Sequence, residues 1–457
     1  MSTSQSLPGH VKATALLALP LVGSQVAQFL IQLTDTLMMG WYGVPELAAL
    51  VLANSVLLTV IVMGAGFGFA VMPLVAAAHE TGEDGQIRRV TRMGLWASVG
   101  FAVLTMPVLL VFEPVFLAMG QDAQIARLGG EYLAVAGWGL IPALAATVLR
   151  SYLSALEHTR IVLLATLAAA AANIGLNWLL IFGHLGFPEM GVRGAALASV
   201  LMHMATFVLF AAYGLRKLPE HQIFARLWRP DGPALARVFR LGWPIAVTNL
   251  AEVGLFAFSS LMMGWVGVVA LAAHGIALQL SAFIFMIHIG LSQAATVRVG
   301  RAYGRGDVLF LRRAAMAAMM ISAMIALVTI IVFLTMPDPL FLGFLSADAP
   351  ETAAILAVGR IFLAAAALFQ VADAAQVLAL GLLRGVQDTR RPMIYATVSY
   401  WLLGAPIAYV MAFPLGMGGV GIWVGLAVGL FCAAGTTMQR FWTGPARAPG
   451  PDHDPVS

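Results

Sequence analysis

The sequence predicts an all-α polytopic membrane protein, with twelve transmembrane helices in two pseudo-two-fold-related six-helix lobes. Three observations carry that expectation. Hydrophobic residues make up 61% of the chain and charged residues 10%, where an ordinary soluble domain has about 25% charged residues to solvate its surface. Apolar runs long enough to cross about 30 Å of hydrocarbon recur from end to end. Finally, one stretch is written twice. Leu37-Met38-Met39-Gly40-Trp41-Tyr42-Gly43-Val44-Pro45-Glu46-Leu47-Ala48-Ala49 returns as Leu261-Met262-Met263-Gly264-Trp265-Val266-Gly267-Val268-Val269-Ala270-Leu271-Ala272-Ala273, identical at ten of thirteen positions with a constant offset of 224, about half of 457.

The spans follow in order. Six apolar runs, 13–39, 47–76, 93–116, 131–155, 161–182 and 192–215, precede the most polar internal stretch. Six more, 241–266, 270–297, 314–336, 354–383, 393–413 and 418–442, follow it. The first run is too long for a signal peptide and reads as a retained helix. With the N-terminus inside, the inner connections and termini hold 22 of the 25 Lys and Arg residues, and only Arg127, Arg193 and Arg360 fall outside. This positive-inside bias orients the chain with both termini cytoplasmic and supports the span count, because one missed helix would scramble the alternation. The net charge of +4 therefore reports topology. No basic stripe interleaved with aromatics suggests a nucleic-acid partner.

Residues 216–240 hold six basic residues with Pro219, Pro230 and Pro233 and read as a cytoplasmic linker. The domain expectation is an N-lobe at 1–215, this linker, a C-lobe at 241–443, and a disordered cytoplasmic tail at 444–457. Further echoes support two copies: Pro20 with Pro244 and Gly82 with Gly306 at the same offset, Thr159-Arg160 with Thr389-Arg390, and Gly191-Val192 with Gly419-Val420. An even number of spans per copy gives parallel repeats, related by an axis along the membrane normal. In a membrane protein such repeats suggest a carrier with its site between the halves. Proline inside a helix deletes a backbone bond and bends the chain. Pro20 and Pro244 therefore read either as static bends or as hinges.

Most acids fall at span ends or in loops, but Asp35, Glu252 and Asp373 fall inside the first, seventh and tenth spans. A carboxylate at that depth costs at least a few kcal/mol, and no lysine or arginine reads as deep enough to neutralise one. Proton uptake or a bound cation then supplies the compensation. Asn173 and Asn177 stand one turn apart on the fifth span. With a carboxylate they form a hard oxygen set for a small cation such as Na+, or else an interhelical hydrogen bond. Gln28 occupies the repeat position of Glu252, and Ser259 that of Asp35, so the lobes are chemically unequal. Thr34, Gln279, Gln376 and Ser199 are further polar candidates, each more often packing glue than ligand. His203, His274 and His288 read as satisfied packing groups. Met38, Met39, Met262, Met263 and Met286 read chiefly as core filler, although methionine also suits promiscuous apolar binding. The single cysteine, Cys432, excludes an internal disulfide and a cysteine-based zinc site.

Several motifs together resemble the multidrug and toxic compound extrusion (MATE) family, in its NorM-like bacterial branch. They are Gln32-Leu33-Thr34-Asp35-Thr36-Leu37-Met38-Met39-Gly40, Ala155-Leu156-Glu157-His158-Thr159-Arg160, its second copy Arg384-Gly385-Val386-Gln387-Asp388-Thr389-Arg390-Arg391-Pro392, Asn173-Ile174-Gly175-Leu176-Asn177, and Gly191-Val192-Arg193-Gly194-Ala195-Ala196. The resemblance covers about 12–443. It implies two lobes around a central cavity and export of organic cations in exchange for Na+ or H+. The chain is expected to act in the bacterial inner membrane, with no cofactor and as a monomer in the lipid bilayer. It also implies an N-lobe cation site at Asp35, Asn173 and Asn177, with Ser199 keeping a hydroxyl where the family has threonine. Glu252 and Asp373 match a second acid pair. Some relatives carry an aspartate where Asn177 stands, so the N-lobe site here is less acidic.

Other classes are less well served. A flippase for lipid-linked oligosaccharide would need buried arginines for its anionic cargo, and none is visible in the sequence. A membrane-embedded enzyme would need a constellation such as His-Glu-x-x-His or Gly-x-Ser-x-Gly within a span, and neither occurs. A passive channel would show neither saturable flux nor dependence on an opposing ion gradient.

Overall fold

The computed structural model describes residues 6–345 and 351–447. Residues 448–457, most of the expected tail, lie outside the described residues. Twelve helices among those described are long and apolar enough to cross a membrane, and no strand occurs among them. The first three spans are α1 (Leu7–Tyr42), α2 (Val44–Glu80) and α3 (Asp84–Leu110). A short α4 (Glu113–Ala118) precedes the fourth span, α5 (Ala123–Ala136) and α6 (Leu140–Ala155), whose halves join through a tight 3-10 turn at Gly137–Gly139. Then come α7 (Thr159–Phe182), α8 (Gly191–Lys217), α9 (Gly232–Val266), α10 (Val268–Arg305) and α11 (Val308–Thr335). After the short α12 (Pro337–Leu342) follow α13 (Thr352–Gly385), α14 (Arg390–Val398), α15 (Ala405–Ala412) and α16 (Gly418–Thr443). A π-helical stretch at Ser399–Gly404 makes α14 and α15 one span.

Departures from the expected boundaries have local causes. The third run, expected to reach 116, stops at Leu110 because Pro114 sits in the first turn of a new helix, α4, where its missing N–H costs nothing. The fourth span starts at Ala123 because Asp122 caps it. Its Oδ1 accepts from the backbone N–H of Gln124 (2.8 Å) and Ile125 (3.3 Å), satisfying donors the helix start leaves open.

The linker is shorter than 216–240, running only from 218 to 231 between α8 and α9. It is fastened down. His221 is buried, its Nδ1 2.6 Å from the Tyr152 hydroxyl. Trp96 Nε1 donates to the Leu227 carbonyl (2.8 Å) and Arg92 Nη1 to that of Arg226 (3.2 Å). Arg89 pairs with Asp231 through both carboxylate oxygens, and that pairing holds the Asp231 carboxyl below its ordinary range.

Two compact units emerge: Gly23–Ala246, and Met1–Val22 together with Val247–Ser457. These differ from lobes at 1–215 and 241–443, because the opening segments of α1 and α9 each pack with the other repeat. A Cβ on Gly66 of α2 would meet the Gly242 carbonyl and the Ala246 nitrogen at 2.7 Å. A Cβ on Gly290 of α10 would meet the Val22 backbone at 2.5 Å. The two glycines are 224 residues apart, and so are Val22 and Ala246, so one backbone-to-backbone contact is made once in each unit. Small residues let helices approach this closely where lipid offers no hydrophobic drive for association. Pro20 and Pro244 each lie inside a continuous helix, two residues before the position where that helix passes from one unit to the other.

In the Gly23–Ala246 unit the core gathers Met38, Met39, Leu50, Phe116, Tyr132 and Leu144. In the other unit Met262, Met263, Phe362, Phe369 and Trp423 do the same. The repeated methionines are thus core in both units. Exposed leucines and methionines such as Leu16, Leu104, Leu167, Met324 and Leu402 suit a surface bathed in lipid rather than water.

Candidate functional site

In the Gly23–Ala246 unit, α1 and α7 bring Asp35, Asn173 and Asn177 together. Asn177 Nδ2 donates to Asp35 Oδ1 (2.5 Å) and to Asn173 Oδ1 (3.2 Å). Both asparagines are fully buried, and the spacing of four residues stacks them on one face of α7. The interhelical hydrogen bond, one of the two alternatives the sequence leaves open for this pair, is made. It still leaves Asn177 Oδ1 and Asn173 Nδ2 buried with no hydrogen-bond partner. A buried acceptor beside a carboxylate supplies hard oxygen ligands of the kind small cations prefer. Tyr132 of α5 completes the cluster. It is hydrogen-bonded to Ser199 of α8 and close enough to Asp35 to interact electrostatically, so Ser199 reaches the acid through a phenol. Nothing in the spacing of the sequence marks Tyr132. Thr34 turns away, its hydroxyl donating back to the Leu30 carbonyl (2.8 Å).

In the other unit, α9 and α13 bring Glu252 and Asp373 within electrostatic range of each other. Their side chains are buried, 7% and 1% exposed, and Glu252 Oε1 and Asp373 Oδ1 have no hydrogen-bond partner. Tyr400, in the π-helical stretch, interacts electrostatically with both acids, and Gln376 Nε2 donates to its hydroxyl (2.5 Å). The π turn also aims Trp401 at α9, where its Nε1 donates to the Ala251 carbonyl (3.2 Å). Such turns recur at functional sites because the extra residue re-aims side chains.

A basic residue does reach the second site, contrary to the expectation that no lysine or arginine lies deep enough to neutralise its acids. Arg384 of α13 is close enough to Glu252 to interact electrostatically, and its Nη2 donates to Asn249 Oδ1 (3.2 Å). Sequence position placed it at the end of the tenth span. Helical side chains lean toward the N-terminus, and the long guanidinium stem reaches back along α13. Asn249 was missed as well, although its place one turn before Glu252 is a usable signal.

The remaining candidates fall elsewhere. Ser259 donates to the Phe256 carbonyl (2.7 Å) and lies 3.4 Å from His274 Nε2, and His274 packs edge-on against Trp423. The repeat partner of Asp35 is thus in ordinary core packing. His288 Nδ1 lies 3.2 Å from the Ile284 carbonyl, His203 lies near Arg150, and Gln279 and Gln28 are half-buried. Among the described residues no three His, Cys, Asp or Glu side chains cluster closely enough to hold a metal ion. The oxygen donors come instead as one or two carboxylates with amides and phenols.

Comparison with known proteins follows the same division into repeats. The MatE family model matches residues 20–179 and again 244–410. A probable multidrug resistance protein NorM of Rhizobium meliloti is 44% identical over 443 residues, covering 96% of this chain and 95% of the relative. Its counterpart in Agrobacterium fabrum is 43% identical over 442 residues, with 96% and 95% covered. Among solved structures, the eukaryotic MATE transporter AtDTX14 superposes with a TM-score of 0.85 at 20% identity, covering 96% of this chain and 98% of that one. A MOP superfamily transporter from Pyrococcus furiosus gives 0.86 at 23% identity, with 96% of each chain covered. At such identities the superpositions speak to the fold alone.

Proposed function

This chain belongs to the MatE family, and from that premise we propose that it is a secondary active antiporter. It exports cationic and amphipathic drugs and other toxic organic compounds in exchange for Na+ or H+, by alternating access. The observation that carries the reading is the pair Glu252 and Asp373, two buried acids with open oxygens. A third acid, Asp35, stands beside the open amide oxygen of Asn177. Buried carboxylates of this kind are costly unless a proton or cation loads them. The incoming ion loads them from outside and displaces the organic cation, and the ion's differential affinity for the two states drives the cycle. Pro20 and Pro244 act as hinges in this scheme, each at a helix position where a backbone bond is already missing. The protein works as a monomer in the bacterial inner membrane with both termini in the cytoplasm, the orientation the arginine distribution favours.

Transport of an anionic lipid-linked cargo fits less well, because the guanidinium of Arg384 beside the second site is already engaged, by the charge of Glu252 and by a hydrogen bond to Asn249. The test is efflux of ethidium from proteoliposomes driven first by a Na+ gradient alone and then by a pH gradient alone. Efflux under neither gradient would refute antiport. Stimulation by an anionic lipid substrate instead would favour the flippase.

A further inference from the structure

The second site contains a cation of its own. Asp373, Gln376, Leu380 and Arg384 recur at intervals of three and four residues, so they line one face of α13. Along that face Asp373 and Arg384 are separated by about 16 Å of helical rise. Glu252 on α9 interacts with both, with Asp373 at one end and Arg384 at the other. The guanidinium is not free to collapse onto the acid, because Asn249, on the same side of α9 one turn before Glu252, accepts a hydrogen bond from Arg384 Nη2 (3.2 Å). Glu252 Oε1 is left buried without a hydrogen-bond partner, so the acid lies near a positive charge that does not bond that oxygen.

We infer that Arg384, held back by Asn249, is a tethered competitor for the charge of Glu252. It is a positioning residue that sets how tightly the second site holds a diffusible cation. When the site is loaded, the organic cation or coupling ion balances Glu252 and Asp373, and Arg384 stays on Asn249. When the cargo leaves, the guanidinium field compensates Glu252, so the emptied carrier never holds two bare carboxylates. The competitor lowers affinity and makes release easier. Full Coulombic attraction between opposite charges at this depth would otherwise make a bound cation slow to leave. This inference rests on the proposed role of Glu252 in binding the organic cation.

The test is equilibrium binding of ethidium to the purified full chain, followed by fluorescence, with ethidium efflux measured alongside. Arg384→Gln removes the competitor, so the dissociation constant should fall about tenfold while maximal efflux slows. Asn249→Leu removes the anchor but keeps the charge. The released guanidinium pairs more closely with Glu252, and the dissociation constant should rise. Arg384→Lys should restore values near those of the parent. A residue that merely holds the helices together would move both variants in the same direction, so opposite signs support the inference and equal signs overturn it. Unchanged ethidium affinity in Arg384→Gln beside a weakened Glu252→Gln overturns this inference alone. Unchanged affinity in Glu252→Gln overturns the role of Glu252 and this inference with it. Should Arg384→Gln fail to fold, Arg384→Met takes its place in the comparison of signs with Asn249→Leu.

Discussion

Replacing Asn177 by aspartate puts a second carboxylate in contact with Asp35. Asn177 Nδ2 donates to Asp35 Oδ1 at 2.5 Å, and the substitution turns that donor into an acceptor. Two carboxylates with charge centres about 4 Å apart, at an effective dielectric of about 20, repel by about 4 kcal/mol. Asp35 is only partly buried, so solvent screening reduces this to about 2 kcal/mol. A cation seated between the two acids relieves that repulsion, and about 2 kcal/mol corresponds to about thirtyfold in affinity. The assay is ethidium efflux from proteoliposomes against the external concentration of the driving ion. Half-maximal efflux in Asn177→Asp should need at least tenfold less of it, with slower turnover because release is harder. If Asn177→Asp and Asp35→Asn gave the same curve as the parent, Asp35 and Asn177 would form a structural hydrogen bond and no cation site.

Three further outcomes are expected. Glu252→Gln and Asp373→Asn should each abolish ion-driven efflux at unchanged membrane expression, because each removes a carboxylate that the coupling ion loads; ion-driven efflux at the parental rate would exclude the pair. Gly425→Leu should destabilise the protein by at least 1–3 kcal/mol, read as a lower melting temperature in detergent, since a Cβ on Gly425 would meet the backbone of Ala408. Gly435→Ala, where a Cβ meets nothing, is the control that should not fall. The linker should loosen in acid. Arg89 depresses the Asp231 carboxyl in the folded state, so its contribution is complete above the unfolded value of about 3.9 and is lost as pH falls through the lower folded value. Hydrogen exchange across 218–231 should therefore rise in that acid range, and Asp231→Asn should show the same rise at neutral pH.

Much of the candidate site is legible in the order of residues along the chain. Asp35, Glu252 and Asp373 declare themselves because a charge in an apolar run has no cheap explanation. Asn173 and Asn177 declare themselves because a spacing of four fixes a shared helix face. Tyr132 and Tyr400 do not, since a tyrosine among 61% hydrophobic residues carries no signal until its hydroxyl is seen at Ser199 or Gln376. Arg384 misleads for a different reason. Its position along the chain marks the helix end, whereas its charge lies several ångströms back toward Glu252 and Asn249.

The sequence by itself determined the span count, the two-fold repeat and the three acids, because hydrocarbon taxes every polar residue individually and the tax shows residue by residue. Only the tertiary structure decided which segments belong together. Gly66 against Ala246 and Gly290 against Val22 show the two repeats exchanging their opening helical segments, a pairing no periodicity encodes. Close backbone approach depends on which small residues meet in space, and that is a property of pairs of helices rather than of any stretch of chain.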